Sequence, residues 1–403
     1  MFRFYLITMI IIKAIAQNYV TDSFIRGSVP WAISANSCKF LDVSPKLLHI
    51  EEEEEKTERR FRVINLGQNL TWNGVQKRLE AIYSADKDLE KVLKLLYDQQ
   101  IQSGFLKKNV LDYITNVTPV YDSKITERFI IQYNPSRRHR GIPPCPNPNP
   151  VHLIPYNDGI PCFCCLENIK IQWPDERGFQ LKILEKDLIF LVNNAPLFPM
   201  HFTISSVEHK PMFMDVATIS NICNQLPGCW VIQNGKGAGA SNPWHYHLQS
   251  FKGSLPLSNA SAVSSIEKTF NNTFYSIEKL DYPMTIYRFI LPDPSPYLVH
   301  HLGLKLAEYL NLSKKNTFNI LGIKPYPGSP LNLLFAPRTT ENIAWLYPSG
   351  QLGYAEIGGV FCTFDQKTRD HWIKEGVSLF NEALKAISIG KDLEQELDKI
   401  LLK

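Results

Sequence analysis

Apolar residues recur at helical spacing across residues 73–105: Val75, Leu79, Ile82 and Tyr83, then Leu89, Val92, Leu93 and Leu96. That period predicts helices with one side turned to a core. Residues 179–206 predict two strands around an Asn-Ala-Pro turn, 212–226 a helix, and 229–233 a strand. Residues 283–291 and 316–323 read as further strands, with a helix between them near 297–310. Strands follow at 331–335 and 358–363, then an amphipathic helix at 366–387 and a polar tail. The Glu-rich run at 51–60 reads as a solvated helix start or a loop. Residues 134–163 hold eight prolines and read as one long irregular loop, a type that often carries function.

Residues 234–249 change this picture most. They read Asn-Gly-Lys-Gly-Ala-Gly-Ala-Ser-Asn-Pro-Trp-His-Tyr-His-Leu-Gln. Three glycines and two alanines in the first eight positions let the backbone approach a bound group closely. If the alternation that follows is a strand, successive side chains take opposite faces. His245, His247 and Gln249 then share one face, and Trp244, Tyr246 and Leu248 the other. Such a loop can donate backbone N–H groups to a phosphate. Ser241 adds a hydroxyl, and a neutral imidazole can attack phosphorus. Two histidines on one strand face also suit a metal, since His is the commonest metal ligand.

Asn234, Ser241-Asn242-Pro243 and His245-x-His247-x-Gln249 resemble the His-x-His-x-Gln branch of the histidine-triad superfamily. That branch holds galactose-1-phosphate uridylyltransferases, diadenosine tetraphosphate phosphorylases and GDP-hexose phosphorylases. The chain departs from the uridylyltransferase loop by one extra residue, Trp244, before the first His. Residues 191–204 are similar to the superfamily's strand–loop–strand segment, where an Asp or Asn binds ribose and a His follows eight residues later. Asn193 and His201 have that separation. Gln132-Tyr-Asn134-Pro135-Ser-Arg137 and Cys162-Phe-Cys164-Cys165 resemble an Asn-Pro-Ala-Arg and Cys-x-x-Cys pair of uncharacterised bacterial relatives. Phe335-Ala-Pro337-Arg338 and Glu356-Ile-Gly358-Gly359 look like the second half of those relatives.

The resemblance, over residues 125–375, implies an antiparallel-sheet, histidine-triad-like α+β fold of two related halves. We divide the chain accordingly into an N-terminal segment 1–50, a half 51–270 that carries the chemistry, and a second α+β half 271–403 with its C-terminal helix. It also implies a nucleotidyltransferase or phosphorylase acting on a nucleotide sugar or a dinucleoside polyphosphate. His247 would be the nucleophile, with His245 beside it. Gln249 would hold a phosphate oxygen and favour transfer over hydrolysis. Asn193, His201, Asn234, Gly239 and Ser241 would line the nucleotide, with Arg137 and Arg338 near the β-phosphate or the acceptor. The acceptor would be inorganic phosphate or a sugar phosphate, and a homodimer is one possible assembly. A structural zinc would take Cys162, Cys165, His209 and His245. A non-catalytic nucleotide-binding protein on the same fold is the competing class, and a secreted zinc-stabilised binding protein a third.

Composition narrows this little. The chain has 403 residues, 44% of them hydrophobic, ample for a large core. A net charge of +4 is too mild to mark a nucleic-acid binder, which shows a clustered basic face. The short Arg137-Arg-His-Arg140 cluster reads as a solvated loop or a phosphate-facing turn. Of eight cysteines, the packed 162–165 group reads as metal ligands or as buried free thiols rather than as a disulfide framework. The apolar run 4–12 before Ala14-Ile-Ala16 resembles a signal sequence and is too short for a stable membrane span. Sequons at Asn69, Asn116, Asn259, Asn271 and Asn311 fit export, whereas the nucleotide substrates implied by the resemblance fit the cytoplasm.

Overall fold

The structure is a computed structural model and describes residues 66–67, 70–121, 127–139, 155–156, 160–162, 164–340 and 352–402. The N-terminal segment and the Glu-rich run lie outside these residues, as does most of the proline-rich stretch. The described fold belongs to one compact unit spanning residues 63–138 and 153–403.

Fifteen strands are described. β1 (Val117–Tyr121), β2 (Glu127–Tyr133) and β15 (Val360–Thr363) form a three-stranded sheet in the order β1-β2-β15. β3 (Pro155–Tyr156) and β4 (Ile160–Pro161) pair as a two-stranded sheet. The remaining strands are β5 (Gly178–Ile183), β6 (Lys186–Val192), β7 (Phe202–Ser206), β8 (Cys229–Asn234), β9 (His247–Lys252), β10 (Ala262–Phe270), β11 (Thr273–Leu280), β12 (Tyr287–Leu291), β13 (Asn316–Ile323) and β14 (Leu331–Thr339). These ten form one antiparallel sheet in the order β10-β11-β12-β14-β13-β8-β9-β7-β6-β5.

That order is one path walked twice. β5, β6 and β7 form a meander, the helix Val216–Gln225 follows, and β9 then inserts between β7 and β8. β10, β11 and β12 form a second meander, the helix Pro296–Leu312 follows, and β14 inserts between β12 and β13. The two five-stranded units meet where β8 runs antiparallel to β13, from Trp230↔Ile323 to Asn234↔Asn319. The α+β class and the two related halves are therefore what the chain adopts. Their junction at β8–β13 exposes neither central strand as an edge.

Local chemistry starts the two crossover helices in the same way. Asp215 caps Val216–Gln225 by accepting from Thr218 N–H, and Ser295 caps Pro296–Leu312 by accepting from Leu298 N–H, with Pro296 in the first turn. Val216, Ile219, Ile222, Leu298, Leu302 and Leu306 are buried in one core on that side of the sheet. Burying each aliphatic side chain stabilises by about 1.5–3 kcal/mol. Gly322 on β13 makes room for the first helix, because a Cβ there would lie 2.6 Å from Ile219. The opposite sheet face carries a second core of Phe129, Phe251, Leu255, Tyr354, Phe361, Trp372 and Phe380.

Several elements differ from the sequence expectation. The helices expected over 73–105 are present as Trp72–Asp86 and Leu89–Gln102, and the structure adds their break at Lys87, with φ +53°. The segment 179–206 holds three strands, because Leu184 and Glu185 both take positive φ and close a tight β5–β6 hairpin. Hydrophobic periodicity does not predict the hairpin β10–β11, since its outer strand is largely exposed. The C-terminal helix breaks at Gly376 into Gln366–Glu375 and Val377–Ile387. The expected polar tail is instead the helix Lys391–Leu402, whose Leu397 and Leu401 are buried. Among the described residues no helix is long and apolar enough to cross a membrane.

Candidate active site and metal centre

The site forms where the loop 235–246 leaves the sheet centre at β8 and returns into β9. His247 opens β9, opposite Ser205 of β7, and Gln249 lies between Thr203 and Ile232. The pleat sends Leu248 to the helix side, into the core of the crossover helices, while Phe251 joins the opposite core. His247 and Gln249 share the face of Phe251. Tyr246 is fixed on the helix side: its hydroxyl donates to Asp215 Oδ2 at 2.7 Å, and Lys186 Nζ lies 3.1 Å from the same oxygen. The cap of the first crossover helix thus holds the residue between the two histidines.

Hydrogen bonds assign the proton on each imidazole. His247 Nδ1 faces the carbonyl oxygen of His245 at 2.9 Å. A carbonyl only accepts, so Nδ1 carries the hydrogen and Nε2 the lone pair. His201 has the reverse arrangement. Its Nδ1 accepts from Leu197 N–H at 3.1 Å, so its hydrogen sits on Nε2, which donates to Gln249 Oε1 at 2.8 Å. Gln249 is thereby oriented with its NH₂ group turned away from His201. Tyr354 Oη lies 3.1 Å from the same His201 Nε2.

The expected metal ligands come together. One donor atom from each of Cys162, Cys165, His209 and His245 falls within a sphere where all lie within 4.8 Å of one another. His245 Nε2 faces the Ser206 carbonyl oxygen at 2.8 Å, which places its hydrogen there. The Nδ1 lone pair then points at Cys162 Sγ (3.3 Å) and Cys165 Sγ (3.5 Å). His209 Nδ1 is 3.3 Å from Cys165 Sγ. Burial pushes the His245 imidazole down to about 4, so it is neutral and able to ligate. Two thiols and two imidazole nitrogens are a donor set that suits Zn²⁺. Asn242 Nδ2 donates to Cys162 Sγ at 3.1 Å, joining this cluster to the glycine loop. His245 lies before the strand and faces the cysteines, so the structure puts it in the Cys/His cluster rather than beside His247 on the strand face.

The glycine loop is packed from the second half. Gly239, at φ +85°, lies so close to Gly353 that a Cβ would come within 2.4 Å of its Cα. Asn234 Oδ1 accepts from Asn319 Nδ2 (2.7 Å) and Tyr354 N–H (3.1 Å), while its own Nδ2 donates to Gly239 O at 3.3 Å. Arg338 is fully buried; its Nη1 donates to Leu352 O at 2.7 Å and Asn319 Oδ1 at 3.3 Å. Burial lowers the Arg338 guanidinium to about 10, with Glu356 opposing the shift.

The other sequence candidates are placed as follows. Asn193 closes its own turn, with Oδ1 accepting from Ala195 N–H at 3.0 Å and Nδ2 donating to Thr203 at 3.3 Å. Arg137 donates to the Ala195 carbonyl. Ser241 is exposed on the loop. Trp244 is 51% exposed, with Lys236 Nζ 4.2 Å from its ring centroid. Tyr354, Asn319 and Ser206 escaped sequence reasoning. Ser206 acts through its carbonyl, which has no side-chain signature. Tyr354 stands two residues before the Glu356-Ile-Gly-Gly run, which was the one signal near it.

A family model described as a domain of unknown function (DUF4922) matches residues 96–252, from the helix Leu89–Gln102 to the end of β9. Comparison with functionally curated proteins returns no match. Among solved structures, the chain is similar to yeast Ap4A phosphorylase Apa2 in complex with AMP, at 15% identity and a TM-score of 0.49, covering 75% of this chain and 96% of that one. The same yeast protein in complex with Ap4A gives 16% identity, a TM-score of 0.49, and 75% and 97% coverage. A third structure of it gives 14%, 0.46, 78% and 94%.

Proposed function

We propose that this protein is a nucleotidyltransferase of the phosphorylase type, acting on a dinucleoside polyphosphate or a nucleotide sugar through a nucleotide held covalently on His247. The observation that carries the reading is the His247 tautomer. Its Nδ1–H is bound by the His245 carbonyl, so the nucleophilic lone pair sits on Nε2, on the strand face it shares with Gln249. Nε2 attacks the α-phosphorus, and the bond from phosphorus to the bridging oxygen breaks. The leaving nucleoside polyphosphate or sugar phosphate keeps that electron pair. Phosphorylation of Nε2 makes the ring cationic, and the Nδ1–H to carbonyl bond strengthens as that charge develops. An oxygen of inorganic phosphate or a sugar phosphate then attacks the same phosphorus, and the P–N bond breaks. Two easier displacements replace one difficult one.

Other groups are arranged for the same task. The NH₂ group of Gln249 binds a phosphate oxygen, and the carboxamide cannot take a proton from water to activate it. N–H groups of the glycine loop and the Ser241 hydroxyl meet charge growing on the phosphoryl oxygens. Cys162, Cys165, His209 and His245 would hold one structural zinc. With four protein donors it would leave no position for substrate, and its contribution would be to fasten the 162–165 segment to the catalytic loop.

The test is to incubate the protein with α-phosphate-labelled Ap4A or nucleotide sugars, with and without inorganic phosphate. Acid-labile label should remain on the wild-type chain and leave when phosphate is added. His247→Ala should lose turnover by roughly four orders of magnitude or more while its melting temperature stays near wild type. Label on His247→Ala equal to wild type rejects the assignment.

A further inference from the structure

The hydrogen-bond chain that orients Gln249 ends on a residue of the second half. Tyr354 opens the one-turn helix Tyr354–Ile357 and is 4% exposed. It is held at both ends: its backbone N–H donates to Asn234 Oδ1, and its Oη lies 3.1 Å from His201 Nε2. Its ring stacks on Phe251 at 5.4 Å and 29°, and Phe251 stacks on Phe198 at 4.1 Å. In so aromatic a pocket a phenylalanine would supply the packing. The hydroxyl therefore has a separate reason, since burying one costs free energy unless it is hydrogen-bonded.

We propose that Tyr354 is a positioning residue for transfer: with Gln249 Oε1 it brackets the Nε2–H of His201, and so keeps the Gln249 carboxamide from flipping. This rests on the phosphorylase reading above. His201 has one ring hydrogen to give, because Leu197 N–H occupies Nδ1. That hydrogen stands between two oxygens, Gln249 Oε1 at 2.8 Å and Tyr354 Oη at 3.1 Å. The two ends of a carboxamide are almost equal in size, so sterics alone do not choose between them. Among the described residues, the His201 hydrogen bond is what distinguishes oxygen from nitrogen here. A flipped amide would turn Oε1, an acceptor, toward the phosphate oxygens and repel them. Tyr354 at Nε2 and Leu197 N–H at Nδ1 fix the imidazole at both ring nitrogens, and that makes the choice firm.

The test is a double-mutant cycle of Tyr354→Phe and Gln249→Ala, read as the rate at which the nucleotidyl-enzyme passes its nucleotide to inorganic phosphate. Tyr354→Phe should slow this step about tenfold in the wild-type background, equivalent to about 1.4 kcal/mol. It should change nothing further when Gln249 is already Ala. An equal loss in both backgrounds, or none in either, overturns the proposal. Melting curves verify the fold; if Tyr354→Phe does not fold, His201→Gln enters the same chain and must show the same silence beside Gln249→Ala. A substrate-free readout separates this idea from the phosphorylase reading. The Gln249 side-chain amide signals in NMR spectra should shift in Tyr354→Phe. Unmoved signals overturn the positioning role. Shifted signals in a protein that forms no covalent nucleotide uphold the role and reject the phosphorylase reading.

Discussion

Strands β5–β9 and strands β10–β14 follow the same path, and they carry different contents. In the first unit the connection between the last two strands spans residues 235–246, rich in glycine, and delivers His245, His247 and Gln249. In the second the matching connection spans only 324–330, and β14 reads Leu-Asn-Leu-Leu-Phe-Ala-Pro-Arg-Thr, with no histidine. Shared topology thus does not carry shared chemistry; side chains at one crossover do. The second unit instead braces the first. Asn319 of β13, with Gly353 and Tyr354, reaches the glycine loop or the residues that orient Gln249, and Arg338 of β14 holds Asn319 and Leu352 behind them.

If that division holds, the largest effect of a single second-unit change should come from Arg338→Met. Methionine keeps much of the volume but leaves Leu352 O and Asn319 Oδ1 without their buried donor. The expected cost is about 3 kcal/mol of folding stability, from acceptors left unsatisfied in the interior. Activity at His247 should fall with it, although Arg338 stands in the other unit. Denaturant titration and turnover check this together. Stability lost with activity intact would show that the brace does not reach the loop.

Cys162→Ser attacks the same loop from the first unit. Elemental analysis should give about one zinc per wild-type chain on the four-donor arrangement, and the variant should hold less. Its melting temperature should fall by several degrees, corresponding to about 2 kcal/mol for a lost metal site in a chain of this size. Wild-type protein free of metal, yet fully stable and active, would return the cysteines to the role of ordinary core residues.

The smallest effect on the fold belongs to Gln249→His, a change confined to the transfer step. A titratable imidazole can move a proton to or from water, which a carboxamide cannot. The ratio of hydrolysis to phosphorolysis should rise, by roughly tenfold or more for an added acid–base group, while the melting temperature stays put. A constant ratio in an active variant would separate Gln249 from the choice of acceptor and narrow the difference between the two units to His247.

Much of this was legible in the chain itself. The strand 316–323 was read with the bounds the structure gives it, and the crossover helices within a few residues, because uninterrupted apolar periodicity sets both. The glycine loop and the alternation from His245 to Gln249 were visible as pattern, and so was the Cys162–Cys165 spacing that the structure joins to His209 and His245. Periodicity said nothing of the β10–β11 hairpin, whose outer strand faces solvent, nor of the breaks at Lys87 and Gly376, which are local backbone turns. The sequence also could not say which ring nitrogen of His201, His245 or His247 bears the hydrogen. That depends on whether a carbonyl or an N–H lies opposite, and those groups arrive from positions as distant as Ser206 for His245. Residue identity determined which atoms were available for chemistry. Only the tertiary structure decided their protonation, orientation and neighbours, because each is set by hydrogen-bond partners that long-range strand pairing brings within reach.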